Sequence, residues 1–272
     1  MSAHAAWLPR ALLYAVAAVI SLFILAPVYV ITIAAFSSQD DVYRYPKQLL
    51  PTDLSTSTMS FFLHSEGIVP SLQRSVIVAA LTLAISLGLG TPAGYALARF
   101  AFRGADGFRL AVVATRAFPI VILSIPLAVT FLKWGIDDSV YGVALAHTAL
   151  ALPFAVLVTS SVFAGISVEL EEAAMTLGCS RASAIARVIL PLALPGLAAA
   201  AIFVFIISWN EVFAASILTL RHRTLPAQVL AVLNASPLPF RFAGGFFLLA
   251  PSLIVIFVIR KYLFNMWGRV VK

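Results

Sequence analysis

The stretch EEAAMTLGCSRASAIARVILPLALPG, from Glu171 to Gly196, stands between two long apolar runs and opens with carboxylates. Together with Glu169 it places three carboxylates within four positions. A charged side chain at the centre of a bilayer costs about 2.5–3.5 kcal/mol on the insertion scale. The stretch is therefore expected outside the hydrocarbon, although the chain on either side of it is apolar.

Local signals in and around this stretch predict two short helices. Ser167 is a candidate N-cap, and the glutamates that follow it fall in a first turn, where the helix dipole favours negative charge. Gly178 is a natural helix stop. Ser180 can cap a second helix that runs through Arg187. This order predicts a helix–turn–helix that lies at the membrane surface.

The composition places the rest of the chain in a membrane. The chain has 272 residues, of which 62% are hydrophobic and 11% are charged, whereas soluble domains carry about 25% charged residues. Its net charge of +7 comes from basic residues scattered singly or in small groups between apolar runs. That distribution is typical of the positive-inside rule and argues against a nucleic-acid-binding stripe. The one cysteine, Cys179, excludes an internal disulfide and a cysteine metal cluster.

Six apolar runs are long enough to cross a bilayer, which requires about 20 residues of helix. We therefore predict an all-α membrane protein with about six transmembrane helices. The first run is far longer than the apolar region of a signal peptide, so we interpret it as a retained span. In the second run, Gly90 and Gly94 predict a face packed closely against another helix. The predicted spans are Ala11–Phe36, Ser75–Leu97, Phe108–Leu132, Val140–Phe163, Val188–Ala215 and Phe242–Ile259.

The short connections between the spans set the predicted orientation, because basic connections favour the cytoplasm. The connection 98–109 (ARFAFRGADGFR) is basic, whereas 133–142 (KWGIDDSVYG) is net acidic. We therefore expect both termini and the loop of about residues 164–191 in the cytoplasm. The connections Ser37–Ser71 and Ser216–Arg241 are expected on the other side of the membrane.

The residue order of the predicted cytoplasmic loop resembles a known family motif. Glu172–Ala174 (EAA) is followed by three residues, Gly178, nine residues and then Val188–Pro191 (VILP). This spacing is similar to the EAA motif of the inner-membrane permease subunits of binding-protein-dependent ABC importers. Val188 stands where the family usually has isoleucine, and Leu177 stands where many members have aspartate.

That resemblance implies the type I importer fold, with residues 1–272 as a single transmembrane permease domain. In the family the short acidic helix is the coupling helix, which docks in a cleft of a cytoplasmic ATPase subunit and transmits its ATP-driven closure. The implied partners are a second homologous permease, two copies of the ATP-binding subunit and an extracytoplasmic solute-binding protein, assembled in a bacterial inner membrane. The implied coupling residues are Glu171, Glu172, Ala173, Ala174, Gly178, Leu190 and Pro191.

The chain itself has no motif for holding a nucleotide. It contains no G-x-x-x-x-G-K-[ST] sequence and no Gly-Lys pair, so it cannot form a P-loop. The resemblance accordingly implies that ATP and magnesium bind the partner ATPase subunits, and that this chain is a non-catalytic subunit without a cofactor of its own. His64, His147 and His222 show no ligand spacing, so no metal site is predicted.

Two further stretches resemble the carbohydrate-importing members of the family, such as the maltose, trehalose and glycerol-phosphate permeases. These stretches are YALARFAFRG (95–104) and FVFIISWNEVFAA (203–215). The resemblance implies import of a sugar or a sugar-like solute: a di- or oligosaccharide, a polyol or a glycerol-phosphate-type compound. The resemblance to the polyamine-importing and phosphate-importing branches of the family is weaker.

Polar residues inside the predicted spans are candidates for the translocation pathway, because ionisable groups in a membrane are costly and usually functional. A carboxylate and an amide can hydrogen-bond sugar hydroxyls, and an indole face can pack on pyranose C–H groups. We expect Asn210 or Glu211 to line the pathway and Trp209 to pack partly against a neighbouring helix. A structural role for Glu211, in holding two subunits together, is an equal alternative. The pathway candidates are Trp209, Asn210, Glu211 and Arg116.

Two other classes of membrane protein compete with the importer subunit. An ion-coupled secondary transporter or channel would need two matching halves with broken helices, which the sequence does not show. A membrane-embedded enzyme would need a catalytic cluster at one depth. At about 1.5 Å per helical residue, Arg116 and Glu211 lie too far apart in depth to form one.

Overall fold

The computed structural model describes residues 7–46 and 53–267, and every regular element in those two ranges is a helix. This confirms the predicted all-α class. The principal helices are α1 (Trp7–Ala35), α2 (Gln39–Tyr43), α3 (Ser57–His64), α4 (Ile68–Arg99), α5 (Ala105–Ala114), α6 (Ile120–Trp134), α7 (Val140–Ala164), α8 (Glu169–Thr176), α9 (Arg181–Ala184), α10 (Leu190–Trp209), α11 (Phe213–Leu218), α12 (Leu225–Val232) and α13 (Leu238–Trp267).

Five helices in the described ranges are long and apolar enough to cross a membrane, and a bent pair brings the number to six. The predicted number of spans is therefore confirmed when the bent pair is one span. The five are Leu12–Ala35, Ile68–Arg99, Val140–Ala164, Arg181–Trp209 and Leu238–Arg260.

The third predicted span, Phe108–Leu132, is not one straight helix. It consists of Ala105–Ala117 and Ile120–Trp134, which meet at an angle of 89°. The break falls at Phe118, which has an extended backbone (φ −86°, ψ 117°) and stands directly before Pro119. Since the proline ring disfavours helical geometry in the preceding residue, Pro119 explains the bend.

The fifth predicted span, Val188–Ala215, is displaced along the chain, because the observed span begins at Arg181 and ends at Trp209. The helix capped by Ser180 does not end at Arg187: it passes through a π-helical turn at Ile185–Ile189 and continues as α10. It then stops at Trp209, and α11 starts only at Phe213. Hydropathy could not reveal this stop, because the residues on both sides of it are apolar.

The described residues divide into two compact units, and the single permease domain expected from the sequence stays a prediction. The first unit comprises the chain up to Ile68 together with Val232–Leu249. Aromatic side chains form its interior: the ring of Phe62 lies 4.9 Å from that of Phe240 and 5.2 Å from that of Phe247.

The second unit comprises Val69–Ala231 and the chain from Ala250 onward, and its helices approach one another at small residues. A Cβ atom on Gly90 would lie 2.9 Å from the Cβ of Ala155, and one on Gly94 would overlap Thr159. Thr159 Oγ1 also donates to the carbonyl of Gly90 at 2.8 Å. These contacts confirm the closely packed face predicted from Gly90 and Gly94, and they bring α4 against α7.

Candidate functional site

The loop between α7 and α10 folds as the predicted helix–turn–helix, with a small shift at its start. Val168 is the N-cap residue of α8, and Ser167 instead accepts the backbone N–H of Glu169 at 3.2 Å. Ser180 caps α9 as predicted, because its hydroxyl accepts the N–H of Ser183 at 3.3 Å. Between the two helices Gly178 has φ +92°, with open space where a Cβ would lie. Glycine is needed there for its left-handed backbone and not for lack of room.

The helix α8 has one face turned into the protein and one turned outward. Glu171 and Ala174 are buried, with Glu171 only 3% exposed. Glu172 and Ala173 are exposed, and Leu177 at the end of the helix is 87% exposed. The four residues of the EEAA sequence therefore separate into two pairs with different surroundings.

Glu171 is held by two residues from the end of α4. Tyr95 donates its hydroxyl to Glu171 Oε1 at 2.6 Å, and Arg99 Nε lies 3.4 Å from Glu171 Oε2. The side chains of Arg99 and Glu171 are 5% and 4% exposed. Arg99 Nη1 also donates to the carbonyl of Ile166, at 2.9 Å. These bonds tie α4 to both the start and the inner face of the α8 loop.

Sequence reasoning did not identify Tyr95 and Arg99 as site residues. The signal that could have found them is their spacing of four residues at the end of a span, which places both on one side of the helix. Their partner could not be inferred, because Glu171 lies 76 residues beyond Tyr95.

The end of the EAA motif joins α8 to the interior of the second unit. Leu190 is half-buried and Pro191 is exposed, whereas the neighbouring Ile189 is fully buried. Ile189 packs in one cluster with Tyr95, Phe163 and Ala193. Ile189 is thus the core contact of this segment, and sequence reasoning missed it.

At the other end of α10 the three pathway candidates have different surroundings. Trp209 is 2% exposed and its ring stacks 5.6 Å from that of Phe205. Asn210 is exposed, and its side-chain amide donates to the carbonyl of Ile206 at 3.1 Å. Glu211 is buried. The predicted fifth span, Val188–Ala215, continues as a helix through all three residues, and this is wrong, because α10 ends at Trp209 and α11 begins only at Phe213.

Glu211 is bound within its own chain. Its carboxylate accepts the N–H groups of Ala214 at 2.9 Å and Ala215 at 3.0 Å, which fixes the first turn of α11. His147 Nε2 lies 3.3 Å from Glu211 Oε2. The pathway role and the intersubunit role of Glu211 both stay predictions, and this geometry favours a structural use of the carboxylate.

His147 extends this contact into a buried polar chain. Its Nδ1 lies 3.0 Å from Ser208 Oγ, and Ser208 donates in turn to Thr82 Oγ1 at 3.4 Å. The chain joins α4, α7 and α10. Sequence reasoning missed His147, which had no recognisable partner 64 residues before Glu211.

Arg116 lies in the turn between α5 and α6, where the broken span bends. It is exposed, and its guanidinium carbon lies 5.7 Å from the centre of the Phe154 ring. That distance is within the range of a cation–π contact. Glu211 meets His147 instead of Arg116, in agreement with the separation in depth expected from the sequence.

Comparison with known proteins assigns the chain to one family of membrane transport proteins. Residues 90–266 match the family described as binding-protein-dependent transport system inner membrane component. The chain is 34% identical over 192 residues to an ABC transporter permease protein, ORF1, of Streptomyces antibioticus (69% of this chain, 84% of that protein). It is 30% identical over 195 residues to the diacetylchitobiose uptake system permease DasC of Streptomyces coelicolor (72% and 71%).

Another relative and a solved structure agree with this grouping. The chain is 32% identical over 182 residues to the trehalose transport system permease SugB of Mycobacterium tuberculosis (67% of this chain, 66% of that protein). A chain of a bacterial ABC transporter involved in the import of the acidic polysaccharide alginate superimposes with a TM-score of 0.73. It has 23% identity and covers 96% of this chain and 99% of its own, so the likeness shows a shared fold.

Proposed function

Because this chain belongs to the family of binding-protein-dependent transport system inner membrane components, we propose that it translocates a sugar or a sugar-like solute. It is a multi-pass membrane permease of an ABC importer. The substrate class is supported by two relatives whose names specify sugars, diacetylchitobiose at 30% identity and trehalose at 32% identity. The stretches 95–104 and 203–215, which resemble carbohydrate permeases, support the same class.

In this proposal the permease works as a non-catalytic subunit of a larger assembly. A second permease completes the pathway, two ATPase subunits bind ATP and magnesium, and a solute-binding protein delivers the sugar. The exposed face of α8 is the surface for the ATPase, with Glu172, Ala173 and Leu177 as its contacts. Exposed Ala173 lets the helix approach a cleft closely, Glu172 can pair with a basic group, and Leu177 offers an apolar contact in place of the family's aspartate.

The same proposal places α8 and both termini in the cytoplasm. The basic connection 98–109 supports this orientation, because Arg99 within it is bonded to the α8 loop and so lies at the same end of the second unit. The acidic connection 133–142 precedes α7, whose other end leads to α8. It therefore lies on the outer side, together with the segment after α11, and we propose that the binding protein docks at this end.

The substrate class is tested by the ATPase activity of the purified complex with its binding protein. Diacetylchitobiose, trehalose, maltose and glycerol 3-phosphate are added separately, with spermidine as a non-sugar comparison. We expect at least one of the four sugar or sugar-like compounds to stimulate hydrolysis severalfold above the level with unloaded binding protein. Stimulation by spermidine alone would contradict the proposed substrate class and leave the family membership intact.

A further inference from the structure

The connection between α6 and α7 carries an aspartate with an unusual conformation and many bonds. Asp138 has φ +46°, in a region that residues other than glycine visit rarely and that aspartate tolerates better than most. Its Oδ1 accepts three successive backbone N–H groups: Leu220 at 2.8 Å, Arg221 at 3.1 Å and His222 at 3.0 Å. Its own N–H donates to the carbonyl of Leu218 at 3.3 Å.

Successive N–H groups that converge on one point form an anion-binding nest. Here the anion is a side chain of the same protein, 82 to 84 residues away in sequence. Burial raises the pKa of Asp138, but the hydrogen bonds from His222, Leu220 and Arg221 outweigh it and lower the pKa overall. The carboxylate is therefore ionised at neutral pH, the form that the nest binds.

The side chain of His222 makes a further contact with Asp138. Its Nδ1 lies 2.9 Å from the carbonyl oxygen of Asp138 and 3.1 Å from its Oδ2. A few residues further on, the N–H of Leu225 donates to Ser75 Oγ at 2.7 Å. Hydrogen bonds therefore hold the segment 220–225 at both ends: its start is bonded to the α6–α7 connection and its end to α4.

The turn at residues 220–222 also carries exposed side chains. Leu220 is 74% exposed, and Arg221 and His222 are exposed as well. Leu220, an apolar side chain beside the cationic Arg221 on a backbone that is already ordered, loses little conformational freedom when a partner docks. Without the carboxylate, three neighbouring N–H groups would lose their acceptor and the turn would be free to rearrange.

We infer that Asp138 is a positioning residue that holds the turn Leu220–His222 in the shape on which the solute-binding protein docks. The inference rests on the proposed function, since it needs a binding protein at this end of the permease. It adds a role for a residue outside both the coupling loop and the pathway candidates.

The test compares Asp138→Gly with Asp138→Asn and Asp137→Asn in the complete complex. Glycine keeps the positive φ and removes the carboxylate, and asparagine keeps one acceptor oxygen. Asp137 is the exposed neighbour and provides the matched loss of charge.

Trehalose- or diacetylchitobiose-loaded binding protein is titrated while ATP hydrolysis is measured. For Asp138→Gly we expect at least a tenfold higher half-saturating concentration with an unchanged maximal rate, a smaller shift for Asp138→Asn, and no shift for Asp137→Asn.

Hydrogen exchange of the amides of residues 220–222 provides a second measurement on the permease alone. Asp138→Gly should accelerate their exchange, and Asp137→Asn should not. Unchanged exchange, or an unchanged half-saturating concentration in an intact complex, would overturn the inference, as would a fall in maximal rate alone. A wild-type complex that no loaded binding protein stimulates would instead overturn the proposed function, and the docking role with it.

Discussion

Replacing Ala173 with tryptophan is expected to weaken binding of the ATPase subunit by about 5- to 150-fold, because an enlarged side chain in a close-packed contact costs about 1–3 kcal/mol. Ala173 is exposed on the outward face of α8, so the indole has room in the permease itself. The clash arises only when the helix enters the cleft of a partner. Co-purification of the ATPase subunit and sugar-stimulated hydrolysis should both be lost.

Ala101→Trp is the matched control for this change. Ala101 is an exposed alanine in the connection after α4, at the same end of the unit as α8. Its replacement should leave the ATPase subunit bound. The thermal unfolding temperature of the isolated permease should be the same for both variants and the wild type. If Ala173→Trp retains the ATPase and full activity, the outward face of α8 is not the contact surface.

Replacing Glu171 with glutamine is expected to destabilise the permease itself, by about 3–5 kcal/mol, because it leaves a buried arginine without its charged partner. Arg99 and Glu171 are both almost fully buried, and Arg99 Nε lies 3.4 Å from the carboxylate. The thermal unfolding temperature of the purified chain in detergent measures the effect. Glu172→Gln, one residue along and exposed, should leave that temperature unchanged.

A double variant separates the charge effect from the loss of a contact. Arg99→Met combined with Glu171→Leu removes both charges and keeps apolar volume, and such replacements of a buried pair are often neutral. We expect the double variant to recover part of the stability lost in Glu171→Gln, because the hydroxyl of Tyr95 and the carbonyl of Ile166 lose their partners. Equal unfolding temperatures for Glu171→Gln, Glu172→Gln and the wild type would show that the Arg99–Glu171 ion pair does not stabilise the fold.

The sequence predicted the position of α8 but not the different surroundings of its two glutamates. The EAA spacing located α8 and its glycine turn, since both depend on local residue types. It could not assign the two glutamates to different faces, because the inward direction of Glu171 is set by Tyr95 and Arg99 on a distant helix. The same limit hid the contact of His147 with Glu211 and that of Asp138 with the turn at 220–222.

The spans were predictable for a different reason, since apolar runs of sufficient length have few other uses. Their breaks were less predictable. Proline occurs inside α4, α7 and α10 without a sharp bend being required, yet at Pro119 the chain turns by 89°. Which proline breaks a span depends on whether neighbouring groups satisfy the freed backbone, and that depends on tertiary packing.

We propose that ATP hydrolysis on the α8 side of the membrane drives sugar toward that side. The most direct measurement is uptake of labelled trehalose or diacetylchitobiose by proteoliposomes that hold the complete complex. Cys179→Ser combined with Ala101→Cys, labelled by an impermeant maleimide, identifies the α8 side, because Ala101 is exposed at the same end of the second unit as α8 and lies outside the proposed ATPase surface. We predict that sugar accumulates on the α8 side only when ATP is supplied on that side and the loaded binding protein is supplied on the opposite side. Accumulation driven by an ion gradient without ATP would contradict ATP-driven import and favour a secondary transporter.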